Sequence, residues 1–108
     1  MADFFRGKVV IVTGSSNGIG RAAAVLFALK GAKVTITGRD ATTLQETKNQ
    51  CQSAGLAEAD ILEVIADFEH DDAPKKVIDE TVAKFGQIDV LVNNAGMVIG
   101  DMKCMLFL

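Results

Sequence analysis

The chain has 108 residues, a formal net charge of −3 and 49% hydrophobic residues, so it makes one domain at most, has ample material for a core and gives no compositional case for disorder. Acids and bases are interspersed, and no run of Lys and Arg offers a nucleic-acid or membrane footprint; apart from Arg39 the basic residues read as solubilising surface. Cys51 and Cys104 share no close spacing and there is one His, which argues against a disulfide framework or a zinc site.

The first residues, MADFFRGK, are acidic at Asp3 and lack the apolar run of a signal peptide, and no stretch approaches the roughly 20 apolar residues of a membrane span. A reducing, cytoplasmic setting is therefore expected. Lys8 to Thr13 is a β-branched run that predicts a strand buried on both faces, closed by Gly14. Ser15, Ser16 and Asn17 then offer N-cap chemistry to an Ala- and Leu-rich helix from about Gly18 to Lys30, ended by Gly31. Lys33 to Thr37 predicts a second strand, stopped by Gly38. Asp40 can cap a helix from Ala41 to about Ala54, which Gly55 closes.

Asp60 to Ala66 predicts the third strand. Asp71 or Asp72 caps a third helix with Pro74 in its first turn, where a missing N–H costs nothing, and Val77, Ile78, Val82 and Phe85 recur at helical spacing as its apolar face before Gly86. Ile88 to Val92 predicts a fourth strand, followed by Asn93, Asn94, Ala95 and Gly96. Strands alternating with helices over short connections mean an α/β fold: an incomplete doubly wound, Rossmann-type parallel sheet of about four strands with right-handed crossovers, in the order 3-2-1-4. Residues 1–99 form this unit, and 100–108 a divergent apolar tail.

The turn between the first strand and first helix, Thr13 to Gly20 (TGSSNGIG), carries the functional signal. Gly14 supplies a sharp turn that a residue with a Cβ resists, Gly18 lets backbone approach a pyrophosphate, and Gly20 lets the helix pack tightly on the sheet. Amides at the helix start, together with the positive end of its dipole, then face phosphates. Three glycines alone are weak evidence; a strand before, a helix after and a second strand beyond give the context that makes them a dinucleotide site. Gly14, Ser15, Ser16, Asn17, Gly18, Ile19 and Gly20 are the expected contacts.

The end of the second strand reads the adenosine ribose. An acid there would accept from both ribose hydroxyls and repel a 2′-phosphate; this chain has Gly38 and then Arg39, whose guanidinium can pair with a 2′-phosphate and stack beside adenine. NADP is expected over NAD. Asp40 could turn inward and serve as that acid, but its capping position favours an outward direction.

These residues resemble the short-chain dehydrogenase/reductase family in its single-domain branch. T-G-x-x-x-G-I-G at Thr13–Gly20 is similar to that family's cofactor motif and N-N-A-G at Asn93–Gly96 to its second signature, and Asp67 matches the acid with which members hold the adenine amino group. The resemblance covers residues 8 to about 96. It implies that Asn93, Ala95 and Gly96 lie beside the adenine ribose, where a small Ala-Gly pair also lets backbone approach a ligand.

The same resemblance implies hydride transfer between nicotinamide and a carbonyl or alcohol carbon, with a Tyr-x-x-x-Lys and a Ser handling the proton, the Lys and the nicotinamide charge lowering the tyrosine's pKa. The chain has no Tyr, and its tail from Gly100 departs from the family pattern. A chain cut before the catalytic residues is therefore expected: a splice or frameshift product, a fragmentary gene model or a short isoform, inactive alone. No residue stands in for the missing base; His70 reads as surface, and neither a catalytic nor a metal-binding residue is expected. The dinucleotide is the expected partner, with a small carbonyl or alcohol substrate and self-association expected of a full-length form. Two alternatives stay open, a non-catalytic dinucleotide-binding or heterodimerising module and a truncated product without function.

Overall fold

The computed structural model describes residues 4–16 and 18–93. Strand β1, Val9–Val12, is four β-branched residues, all buried. β2 (Lys33–Gly38), β3 (Ile61–Ile65) and β4 (Val90–Val92) pair with it in one parallel sheet of order β3-β2-β1-β4. Class and strand order are those expected from the sequence.

Period-two alternation divides the core between the two faces of the sheet. Val10, Val12, Val34 and Ile36 turn to one face and meet Ala24, Phe27, Ala28, Leu44 and Cys51 of helices α1 (Gly18–Leu29) and α2 (Ala41–Ser53). Ile11 and Val64 turn to the other and meet Ala73 and Val77 of helix α3 (Ala73–Phe85). Side chains of this size are each worth about 1.5–3 kcal/mol when fully buried, so β1, enclosed on both faces, anchors the fold.

Local signals act as the sequence suggests at most element ends. Asp40 caps α2, its carboxylate accepting from the Thr42 amide at 2.8 Å, and Pro74 sits in the first turn of α3. Gly31, Gly55 and Gly86 follow the three helices with positive φ.

Four details differ. Asp72 holds the N-cap position of α3 but its side chain makes no capping hydrogen bond. The apolar face of α3 is displaced from the expected one: the sheet-facing stripe is Ala73, Val77 and Thr81, while Ile78 and Val82 remain 45% and 44% exposed. The buried stripe includes a polar pair, Thr35 and Thr81, whose hydroxyls lie 2.9 Å apart and satisfy each other where the sheet and helix meet. β4 begins at Val90 rather than Ile88, because the Asp89 carboxylate takes the Val9 amide at 2.8 Å where a ladder carbonyl would otherwise accept. Finally, a 3-10 turn, Glu58–Asp60, precedes β3.

Candidate functional site

All four strands of a parallel sheet end at the same edge, and that edge gathers the residues singled out above. In spatial order they are Asp67 after β3, Gly38 at the end of β2 with Arg39 after it, the glycine turn after β1 and Asn93 after β4. Three backbone bonds carry the ladder past the strand ends: Ala66 N to Gly38 O at 2.9 Å, Ser15 N to Thr37 O at 2.9 Å and Thr13 N to Val92 O at 3.0 Å.

Gly14 and Gly18 adopt φ of 62° and 59°, the left-handed region where a Cβ is costly, so the turn requires them. Gly20, the third residue of α1, is buried. Ile19 is 80% exposed at the mouth of the helix. The first amides of a helix lack intrahelical acceptors, and among the described residues no protein acceptor takes those of Ser16, Gly18, Ile19 or Gly20. These donors and the positive end of the α1 dipole lie at the carboxyl edge of the sheet.

The two serines do different work from the N-capping read in the sequence. Ser15 is fully buried; its hydroxyl donates to the Val12 carbonyl at 2.9 Å and accepts from the Thr37 amide at 2.9 Å, while its own amide is spent on Thr37 O. It braces the turn against β2 and caps nothing. Ser16 lies against Gly38: a Cβ built at position 38 would collide with Ser16 Oγ. A side chain at 38 therefore requires the Ser16 hydroxyl to turn aside.

Arg39 is exposed and makes no hydrogen bond or ion pair with a described residue. Asp40 beside it is committed to the α2 cap and faces outward. Asp67 closes a tight turn after β3, its Oδ1 accepting from the Glu69 amide at 2.9 Å, with His70 Nε2 3.8 Å from Oδ2. It lines, with Ala66, His70, Asp72 and Lys76, an open depression of about 320 Å³. Asn93 is brought to the glycine turn: Thr13 Oγ1 lies 3.3 Å from both Asn93 Oδ1 and the Val92 carbonyl, which share its single proton. The expected contacts Asn17, Ala95 and Gly96 lie outside the described residues.

One set of residues escaped the sequence reading. Arg21, one position past the last glycine, reaches across to α2: its Nε donates to Thr47 Oγ1 at 2.9 Å, and its Nη2 to the carbonyls of Thr43, at 3.0 Å, and of Ser16. The available signal was an Arg in an Ala- and Leu-rich helix, with two threonines four apart on the next one.

A parallel sheet of order β3-β2-β1-β4, with a glycine turn opening its first helix at the carboxyl edge, is one half of a doubly wound fold. The short chain dehydrogenase family model matches residues 8–106, and the chain belongs to that family. It is 44% identical over 98 residues to the glucose and ribitol dehydrogenase of Daucus carota, covering 87% of this chain and 34% of that one. Among solved structures it resembles the apo glucose dehydrogenase of Caenorhabditis elegans, with a TM-score of 0.83 and 54% identity over 88% of this chain and 40% of that one. A second nematode short-chain dehydrogenase/reductase of unknown function, solved with its cofactor, gives a TM-score of 0.78 and 48% identity over 81% of this chain and 32% of that one. The chain thus spans between about a quarter and two-fifths of the length of the relatives it matches.

Among the described residues, no helix is long and apolar enough to cross a membrane.

Proposed function

We propose that this chain is the cofactor-binding portion of an NADP-preferring short-chain dehydrogenase/reductase, cytoplasmic in location. The observation that carries the reading is the set of amides at Ser16, Gly18, Ile19 and Gly20, which no acceptor among the described residues takes, with Arg39, exposed and without a partner among the described residues, at the end of the neighbouring strand. Those amides would take the pyrophosphate, and Arg39 the 2′-phosphate, for which a guanidinium fork is well matched. The packing of Ser16 on Gly38 is consistent with the same preference, because an acid at 38 would have to displace the Ser16 hydroxyl.

Asp67, next to an open depression, is assigned to the adenine amino group, and Asn93, Ala95 and Gly96 to the ribose side. Ser15 and Asn17 belong to the same phosphate turn, Ser15 through its brace on β2 rather than by contact. When bound, the nicotinamide would accept or deliver a hydride to a carbonyl or alcohol carbon. These 108 residues hold no Tyr, so the proton donor of that reaction is assigned to a longer form, as are substrate binding and self-association. Residues 1–99 are the binding unit and 100–108 a divergent apolar tail, even though the family match extends through 106.

Titration of the 108-residue chain with NADPH and NADH, read by calorimetry, tests the reading. Arg39→Ala should weaken NADPH by about tenfold or more, the worth of a charge-assisted pair, while NADH changes less than about twofold. Equal loss for both cofactors would remove the NADP preference, and absence of saturable binding to the unsubstituted chain would remove the cofactor site.

A further inference from the structure

We propose that Arg21 and Thr47 are positioning residues that set the direction of the phosphate-facing amides from behind, through the carbonyls of Ser15 and Ser16. The inference rests on the dinucleotide reading above and adds to it a device in α2, a helix that reading leaves without a role in the site.

Thr47, fully buried on α2, donates its hydroxyl to the Ser15 carbonyl at 2.6 Å and accepts from Arg21 Nε at 2.9 Å. Arg21 in turn donates to the Ser16 carbonyl and, at 3.0 Å, to the Thr43 carbonyl. Two successive carbonyls of the turn are therefore held on the α2 side. In a trans peptide the N–H points opposite the C=O of the same unit, so fixing Ser15 O toward α2 forces the Ser16 amide away from α2. Successive amides fixed on one side of a turn form an anion-binding concavity. The network also explains the residue types. A guanidinium has donors enough to span a hydroxyl and two carbonyls in one plane, whereas an ammonium on a flexible stem cannot hold all three. A threonine hydroxyl donates to one partner while accepting from another.

This is a different function from holding the fold together. Loss of the clamp frees the peptide between Ser15 and Ser16 to rotate and costs the ligand that needs its N–H, the pyrophosphate. A ligand that reaches only Arg39 is unaffected.

The test compares two probes on the full 108-residue chain by chemical-shift titration. One is 2′-phospho-ADP-ribose, which carries the pyrophosphate; the other is adenosine 2′-monophosphate, which lacks it. Thr47→Val, nearly isosteric but without the hydroxyl, loses the bonds to both the Ser15 carbonyl and Arg21 Nε and should weaken the first by about tenfold or more, leaving the second within about twofold. Thr47→Ser, which keeps the hydroxyl, should restore the first probe to within about twofold of the unsubstituted chain. Arg21→Lys serves as a second variant if Thr47→Val melts the chain, and should show the same selective loss. Equal weakening of both probes, no change in Thr47→Val, or failure of Thr47→Ser to rescue would each overturn the clamp. If the unsubstituted chain binds neither probe, the dinucleotide reading falls and takes the clamp with it, a result distinct from normal binding that the substitutions leave untouched.

Discussion

Val9 and Asp89 exchange two hydrogen bonds where β1 and β4 begin: the Val9 amide donates to Asp89 Oδ2 at 2.8 Å, and the Asp89 amide donates to the Val9 carbonyl at 2.9 Å. A side chain thereby substitutes for the first rung of the ladder that joins the outermost described strand to the sheet.

The pH dependence of stability should record that contact. The Val9 amide, followed by Gln87 and the charge of Lys8, holds the Asp89 carboxyl below its ordinary value. A depressed carboxylate contributes stability above its unfolded pKa, and the contribution is lost as pH falls through the folded pKa. Asp89→Ala should therefore cost about 0.5–1 kcal/mol near neutrality, a hydrogen bond discounted for an exposed site. The gap between the variant and the unsubstituted chain should close in acid, below the usual aspartate range. Urea unfolding at a series of pH values measures it; a gap that stays constant to strong acid would refute the assignment to the carboxylate.

A second prediction concerns the threonine pair between β2 and α3. Thr81 spends its proton on the Val77 carbonyl at 2.7 Å, so Thr35 is the donor in the 2.9 Å contact between the two hydroxyls. Both residues are fully buried. Thr81→Val strands the Thr35 hydroxyl and should cost about 1–3 kcal/mol, whereas Thr35→Val together with Thr81→Val should cost far less, since no buried polar group is left unpaired. A double-mutant cycle by chemical denaturation checks the sign, and additive single effects would show that the pair is not coupled.

Strand positions, helix ends and the glycine turn were legible because each is a local matter: β-branched runs, glycine after a helix, Asp40 before one. What escaped depends on partners far away in the chain. Ser15 looked like a cap but pairs with Thr37, and Arg21 looked like surface charge but pairs with Thr43 and Thr47. The face of α3 was misjudged for the same reason. Hydrophobic periodicity ranks Ile78 above Thr81, whereas the folded chain buries Thr81 beside Thr35 and leaves Ile78 45% exposed. The site was therefore readable as a set of residues, but not as a set of directions.

Cys51 offers a chemical probe of the α2 packing. Burial pushes its thiol up to about 11, and its side chain is fully enclosed among the apolar residues beneath α1 and α2. At pH 8 it should resist thiol reagents in the folded chain and react freely once urea is added, since the thiolate is the nucleophile. A Cys104→Ser background isolates the signal. The thiol also predicts alkaline weakening: an acid with a raised folded pKa gives stability that is complete below its unfolded value and is lost as pH rises toward the folded one. Rapid labelling of Cys51 in the folded chain would contradict both expectations.

The contact between Ser16 and Gly38 ties cofactor preference to packing, and it can be separated from charge. Gly38→Ala brings its Cβ onto Ser16 Oγ, so the Ser16 hydroxyl must rotate away, a cost at the low end of the ~1–3 kcal/mol of overpacking. Since the colliding atom belongs to a short side chain on a turn, the strain should fall mainly on the turn and not on the sheet. Ser16→Gly combined with Gly38→Ala should recover most of the loss relative to Ser16→Gly alone, because the obstructing side chain is gone. The same logic governs conversion toward NAD: Gly38→Asp alone should bind neither cofactor well, while Gly38→Asp with Ser16→Gly makes room for an acid that can take the ribose hydroxyls. Calorimetric titration with NADH and NADPH distinguishes the cases. Tight NADH binding by Gly38→Asp with Ser16 retained would mean that the contact is soft and that Arg39 alone governs the choice.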